Sequence, residues 1–412
     1  MKQQRNFPKI KVTRKAQAAI EAGHPWVYDT ELLQTEASDG AIENGSIVDV
    51  VSDKNRYLGT GFLSKKSKIR IRIISRNAND RFDEAFFERR IRYAWDYRKT
   101  VMADDIEACR VIFGEADQFP GLTVDRFGDL LVTQTLSVGM DKLKPILFPL
   151  IYKVLINDRQ IISGIYERND VAIRELEGLE QNRGFFSLEG VPQPKSAVTV
   201  IRENGIEFEV DVENGQKTGF FLDQKYNRRA VARLSKGKRV LDCFTHTGSF
   251  ALNAALGGAD HVCAVDISES AIEMAQKNAV RNGLDSKTEF KVANVFDLLP
   301  ELEKSGEKPY DFIILDPPAF TKSRKTLDGA LRGYNEINLR AMKLLPRGGY
   351  LATCSCSHFV KGELFVKMLK SAASDAAVEL RQIEARQQSP DHPILWNVPE
   401  TDYLKFYIFQ VI

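Results

Sequence analysis

The stretch Val240-Leu241-Asp242-Cys243-Phe244-Thr245-His246-Thr247-Gly248, followed by SFALNAALGG from Ser249, reads as a short strand, a turn and a helix. A glycine at such a turn lets a ligand approach the backbone, and the helix N-terminus offers N–H groups that nothing inside the helix uses. Only one glycine precedes the helix, so this is not the dinucleotide pattern G-x-G-x-x-G, and there is little room for a pyrophosphate. The same strand–helix alternation continues outward. VCAVDI, FKVANVFD, DFIILDPP and YLATCSCS are short apolar runs separated by helical stretches, including a long one over 328–345. Such alternation implies an α/β fold, a parallel doubly wound sheet covered on both faces. In that architecture ligands bind at the carboxyl ends of the strands.

The residues at those ends carry the chemistry. The second strand ends at Asp266, where an acid can accept hydrogen bonds from a ribose diol. The third ends at Asn294-Val295-Phe296-Asp297, a polar group and an aromatic suited to the edge and face of an adenine. One ribose carboxylate, a single-glycine turn and no phosphate cradle point to an adenosine ligand without phosphates, and S-adenosylmethionine fits better than NAD. The fourth strand ends in Asp316-Pro317-Pro318-Ala319-Phe320. Two prolines fix the backbone there, so the corner can hydrogen-bond the amino group of a planar base while Phe320 stacks on it. Read alone, it is equally a Pro-rich turn leaving a buried strand. The fifth ends in Thr353-Cys354-Ser355-Cys356-Ser357. Cys243 and Cys263 read as small buried apolar residues, but two thiols in a Thr/Ser frame at a strand end call for a chemical reading.

The chain of 412 residues is long enough for several domains. Its formal net charge of +2 is uneven: residues 1–76 hold 14 Lys/Arg against 8 Asp/Glu, and the remainder is acidic. This first segment, 1–76, alternates short β-rich runs with turns. Within it, Ile69-Arg70-Ile71-Arg72-Ile73 has a period of two, isoleucines on one face and arginines on the other. Lys65, Lys66, Lys68, Arg70 and Arg72, with the basic N-terminal stretch, suggest a surface that faces nucleic acid; an ordinary solvated strand face is the plainer alternative. Residues 81–103 read as an amphipathic helix with Phe82, Phe86, Ile91 and Trp95 toward a core. It opens an α+β middle unit, 77–195, in which GEADQFPGLTVDRFGD reads as a turn-rich loop. The strand–helix alternation occupies 196–412. No run is long enough to span a membrane. Five cysteines without CxxC spacing suggest a reducing cytoplasm and no metal.

These features coincide with a known family. The chain resembles the RlmI-type ribosomal RNA large-subunit methyltransferases, which join a PUA domain, an EEHEAD domain and a Rossmann-like class I methyltransferase domain. The likeness rests on His24-Pro25-Trp26, on Gly121-Leu122-Thr123-Val124-Asp125-Arg126-Phe127-Gly128-Asp129 and on Arg168-Asn169-Asp170. It continues through Lys217-Thr218-Gly219-Phe220-Phe221-Leu222-Asp223-Gln224, Phe244-Thr245-His246-Thr247-Gly248, Asp316-Pro317-Pro318, Ser355-Cys356-Ser357 and Asp391-His392-Pro393. By position, the resemblance implies S-adenosylmethionine contacts at Phe221, Asp223, Gln224, Thr245, Thr247, Gly248, Asp266, Asp297 and Asp316. It further implies large-subunit ribosomal RNA as partner, a homodimer, and methylation of cytosine carbon 5 with Cys356, in the S-C-S position, as the nucleophile. The family often has one cysteine there. Cys354 stands two residues earlier, so both thiols share a strand face, either into the cleft or away from it. Relatives with the same D-P-P corner methylate guanine N7, which needs no thiol, and a non-catalytic RNA-binding assembly factor is a third reading.

Overall fold

The computed structural model describes residues 6–35, 42–321 and 323–412; Lys2 and Arg5 of the basic N-terminal stretch lie outside these. The chain divides into two compact units. The first comprises 1–201, 210–222 and 390–401, and the second comprises 202–209, 223–389 and 402–412.

In the first unit, a six-stranded sheet runs in the order Trp26–Tyr28, Ile69–Ser75, Tyr57–Leu63, Ile47–Val51, Lys9–Val12, Leu32–Thr35. Its core gathers Ile10, Val12, Val48, Val50, Ile71 and Ile73. Ile71 and Ile73 of the I-R-I-R-I run do face inward, but its arginines part company. Arg72 is only 9% exposed, with its guanidinium 2.7 Å from Glu177. It is therefore removed from the basic face, because a buried guanidinium is tolerated only with a compensating charge. Arg70 is half-buried and donates to the carbonyls of Ser64 and Lys65. Lys65, Lys66 and Lys68 are exposed.

The middle sheet takes the order Arg183–Phe186, Gly164–Arg168, Leu130–Thr135, Leu122–Phe127, Ala108–Phe113. Helices Glu84–Val101 and Val138–Asn157 accompany it. Phe86, Ile91 and Trp95 are buried on the first helix, which is capped by Asp83 accepting from the Phe86 N–H. The stretch read as a loop contains a strand, Leu122–Phe127, with every residue but Thr123 buried. Its flanking Gly121 and Gly128 had masked a β-rich run of Leu, Thr, Val and Phe.

The second unit is built on one seven-stranded sheet. Its strands are β1 (Arg239–Cys243), β2 (His261–Asp266), β3 (Thr288–Val292), β4 (Phe312–Leu315), β5 (Tyr350–Ser355), β6 (Leu380–Arg386) and β7 (Lys405–Val411), in the order β3-β2-β1-β4-β5-β7-β6. Strands β3 to β5 along this order pair in parallel, and β7 is antiparallel to both β5 and β6. The sheet is thus parallel except for one inserted strand near its edge. Helices α1 (Lys225–Leu234), α2 (Ser249–Leu256), α3 (Glu269–Arg281), α4 (Val295–Ser305), α5 (Leu327–Leu344) and α6 (Gly362–Asp375) belong to the same unit. Val240, Leu241, Asp242 and Cys243 of β1 are all fully buried, as expected of a strand covered on both faces. The strand order reverses between β1 and β4, which opens a crevice at their carboxyl ends. Among the described residues no helix is long and apolar enough to cross a membrane.

Candidate functional site

The β1–α2 turn is unusual in its backbone. Phe244, His246 and Gly248 adopt φ values of 67°, 50° and 84°. Left-handed conformations at Phe and His cost energy and persist only where the surroundings fix them. Here the fixing contacts are backbone bonds to β2: Thr245 N–H donates to the Val265 carbonyl at 2.9 Å, and His246 N–H to Asp266 Oδ2 at 2.9 Å. Gly248 is required twice over, since a Cβ there would also lie 3.1 Å from Ala275 Cβ of α3. Asp266 accepts a second backbone bond, from Ser268 N–H at 3.0 Å. Its carboxylate is thereby aimed by two amides and stays partly exposed.

Beneath the turn, Asp242 is fully buried and accepts from the Thr245 hydroxyl at 2.6 Å. Burial pushes its carboxyl up to about 8, against the pull of that hydroxyl and with a further push from Asp316. Among the described residues, Asp242 Oδ1 and Thr247 Oγ1 are buried without a hydrogen-bond partner. Buried polar atoms are rarely left so in a finished structure. Two orphaned oxygens beside a glycine turn and an aimed carboxylate suit a hydroxyl-rich adenosine ligand.

On the far side of the turn, Asn294 caps α4 by accepting from Phe296 N–H and donates to Asp297 at 2.9 Å. Asp297 is exposed. Phe296 and Phe320 meet with ring centroids 5.8 Å apart, and Phe320 lies 4.5 Å from Tyr334, so the ends of β3 and β4 share an aromatic wall.

Asp316 and Cys354 form a tight pair. The Cys354 thiol donates to Asp316 Oδ1 at 2.8 Å, and Gln224 Nε2 donates to the same oxygen at 3.0 Å. Burial, then the Asp316 charge, hold the Cys354 thiol well above its ordinary range. Burial also raises the Asp316 carboxyl, offset by the thiol and by Gln224. Cys356 differs. It stands one residue beyond the end of β5 and is partly exposed, whereas Cys354 is buried. Pairing with β7 stops at Ser355 opposite Lys405, so strand alternation no longer governs where Cys356 lies. Its neighbour Ser357 is anchored by the Tyr334 hydroxyl at 2.9 Å.

Sequence reasoning missed Lys405. Its Nζ donates to the carbonyls of Ser357 and Tyr403, both at 2.8 Å. Burial lowers it to about 8, while the nearby cysteines, Cys356 foremost, favour its charged form. Only the cross-strand register brings it to the S-C-S end, and nothing local in the sequence announces that register. Asp223 accepts from the Tyr403 hydroxyl at 2.6 Å, and Gln224 Oε1 from Asn227 at 2.6 Å. The second unit thus brings together Asp223, Gln224, Asp316, Cys354 and Lys405 through hydrogen bonds, and Thr245, Asp242 and Asp266 through the turn. Phe221 belongs to the first unit, with Lys217 Nζ 4.4 Å above its ring.

A family model described as S-adenosylmethionine-dependent methyltransferase matches residues 188–409, and one for a PUA-like domain matches 10–76. Proteins named Ribosomal RNA large subunit methyltransferase I are similar along nearly the whole chain. That of Klebsiella pneumoniae strain 342 is 38% identical over 408 residues, covering 98% of this chain and 99% of its own. That of Erwinia tasmaniensis is 39% identical over 391 residues, covering 94% and 96%. The chain belongs to this family of methyltransferases. S-adenosylmethionine is therefore its cofactor, and the orphaned oxygens of the β1 turn fit that assignment. A solved structure from Streptococcus mutans, described as a SAM-dependent methyltransferase, has a TM-score of 0.80 at 22% identity, covering 98% of this chain and 100% of its own. A second, solved in complex with SAH, has the same TM-score at 21% identity and the same coverage. At that identity the likeness establishes the methyltransferase fold.

Proposed function

We propose that the protein methylates carbon 5 of a cytosine in 23S ribosomal RNA, with Cys356 as nucleophile. The relatives' name supports the RNA substrate. The difference between the two thiols supports the chemistry: Cys354 is buried and engaged by Asp316, while Cys356 is partly exposed at the strand end beside Lys405. S-adenosylmethionine, when bound, supplies an electrophilic methyl group. Cytosine carbon 5 is a poor nucleophile until a thiolate adds at carbon 6 and breaks the aromaticity. The Cys356 sulfur forms that bond, and the ring nitrogen takes up a proton as the negative charge develops. Asp316, with its carboxyl raised by burial, holds the base and favours that protonated ring. After methylation a base removes the carbon-5 proton, the carbon–sulfur bond breaks and the thiolate returns, so one hard step becomes several easier ones. The thiolate is the reactive form, and the Lys405 ammonium favours negative charge on the neighbouring sulfur. The target base must leave its stack to react, which is cheapest in looped or single-stranded RNA. A cytoplasmic homodimer belongs to the same reading.

RNA carrying 5-fluorocytidine should trap a covalent adduct on Cys356, because fluorine blocks the final proton loss. Nucleoside mass spectrometry of ribosomal RNA from a deletion strain should show one 5-methylcytidine missing. Loss of 7-methylguanosine instead would replace this reading with guanine-N7 methylation. RNA binding with no methyl transfer from labelled cofactor would leave an assembly factor.

A further inference from the structure

The first unit holds a cleft of about 480 Å³ that the methyl-transfer chemistry does not use. This volume lies within the range of about 300–1,000 Å³ typical of ligand sites. One wall is a stripe of the helix Glu84–Val101, on which Phe86, Arg89, Arg90, Tyr93 and Tyr97 recur at helical spacing. Tyr93 is 64% exposed and Tyr97 37%. Leu395 closes the opposite side, and the next residue, Trp396, is 98% exposed. Tryptophan is highly buried on average, so a wholly exposed indole needs a reason. Its loop is not loose: Leu395 N–H donates to Thr401 Oγ1 at 2.9 Å, that hydroxyl donates to the Val398 carbonyl at 2.7 Å, and Val398 is buried.

The charges in the cleft favour an anion. Asp117 is committed to Arg98 and to the Phe113 N–H, and Asp80 to Ser75 and Asn77. Among the described residues neither Arg89 nor Arg90 hydrogen-bonds a carboxylate. Arg89 comes no nearer than 3.9 Å to Asp80, and Arg90 donates to the Gln118 carbonyl while lying 4.2 Å over the Phe86 ring. The exposed rings of Tyr93 and Tyr97, beside two guanidinium groups that make no carboxylate hydrogen bond, match a single strand, whose bases stack on the rings while its phosphates meet the arginines.

We propose that this cleft, with Trp396 at its rim, binds single-stranded RNA flanking the target nucleotide. The proposal rests on the RNA substrate inferred above. It assigns the middle domain a substrate-holding role separate from the exposed lysines of the N-terminal sheet.

The full-length protein can be titrated with a mixed-sequence single-stranded oligoribonucleotide while tryptophan fluorescence and RNA anisotropy are followed together. Trp95 is buried and Trp26 is held by Glu115, so stacking should quench chiefly Trp396. Trp396→Ala should abolish the quenching and weaken binding about 5- to 100-fold, as expected for one lost base–aromatic stack. Trp396→Phe should restore most of the affinity. Arg89→Ala and Arg90→Ala should each flatten the salt dependence by about 0.7 in log–log slope. Cofactor affinity should not change in any of them. If wild-type protein binds RNA and Trp396→Ala with Tyr93→Ala binds it equally well, the cleft is not an RNA site, although the methyltransferase reading stands. If wild-type protein binds no RNA under any salt condition, both readings fall.

Discussion

The motif carboxylates of the first unit and those of the methyl-transfer site are both enclosed by polar groups, but they are finished differently. In the first unit Arg110 grips Asp125 with two bonds of 2.7 and 2.8 Å, and the Thr218 hydroxyl donates to the same carboxylate at 2.6 Å. Arg98 likewise engages both oxygens of Asp117, and Arg168 spans Asp170 and the carbonyls of Val212 and Gly215. In the methyltransferase unit Asp242 keeps one buried oxygen without a partner, and Asp316 is held by an amide and a thiol rather than a cation. Closed pairs of the first kind stabilise geometry. Open carboxyls of the second kind have raised proton affinities. Aspartate motifs such as L-T-V-D-R-F-G-D and D-P-P therefore do different work according to whether an arginine completes them.

The comparison can be broken most directly at the thiols. Cys356→Ser should lower methyl transfer by at least about a thousandfold, since oxygen cannot replace the thiolate in covalent catalysis. Cys354→Ser should stay within about tenfold of wild type in single-turnover assays. Equal losses in both would erase the distinction between the buried and the exposed thiol, and full activity in the double variant would end the covalent route.

The closed pairs give a stability prediction. Arg110→Ala leaves Asp125 buried without its cation and should cost about 3–5 kcal/mol in denaturant unfolding. Asp316→Asn, which removes no ion pair, should cost far less stability while depressing activity. A mild Arg110→Ala effect would mean that the first unit's network is not structural.

Lys405 offers a smaller, pH-dependent effect. Burial holds it at about 8, below the usual lysine value, so it is charged below that pH and loses its charge above it. Wild-type turnover should bend downward above about pH 8, and Lys405→Met should be slower at neutral pH, by about tenfold, without that bend. A bend preserved in the variant would assign it to another group.

The smallest effect concerns Asp242. Its folded-state value of about 8 lies above the ordinary carboxyl value, so the folded protein keeps a proton that the unfolded chain releases. Stability of the cofactor-free protein should therefore fall as pH rises from about 4 to about 8. Asp242→Asn does not titrate and should melt a few degrees above wild type at pH 8, with no difference at pH 4. Calorimetry at the two pH values checks this.

Much of the second unit was legible in the sequence because each buried parallel strand is a continuous apolar run ending in a polar residue. VLDCF, VCAVDI and DFIILDPP carry both their secondary structure and their place at the cleft. What stayed hidden depended on pairing across the sheet. Lys405 reaches the S-C-S end only because β7 inserts antiparallel beside β5, and the strand at Leu122–Phe127 was concealed by its bounding glycines. Arg72 failed the alternation rule because Glu177, more than a hundred residues later, supplies a buried counter-charge. Periodicity reports which face a side chain occupies, but a distant partner decides what that face meets.

The interleaving of the two units along the chain bears on synthesis. Residues 390–401 complete the first unit, although β6 before them and β7 after them build the second. Arg98 donates to the Asp391 carbonyl at 2.9 Å, and the Arg110 N–H to its side chain at 2.8 Å, across separations of 293 and 281 residues. A growing chain thus emerges from the ribosome with its N-terminal unit lacking part of its contacts until residues 390–401 have been made. Domains usually fold as units in order of their appearance; here the first to appear is completed by a segment that follows most of the second, and a product truncated before Asp391 would lack the groups that Arg98 and Arg110 engage.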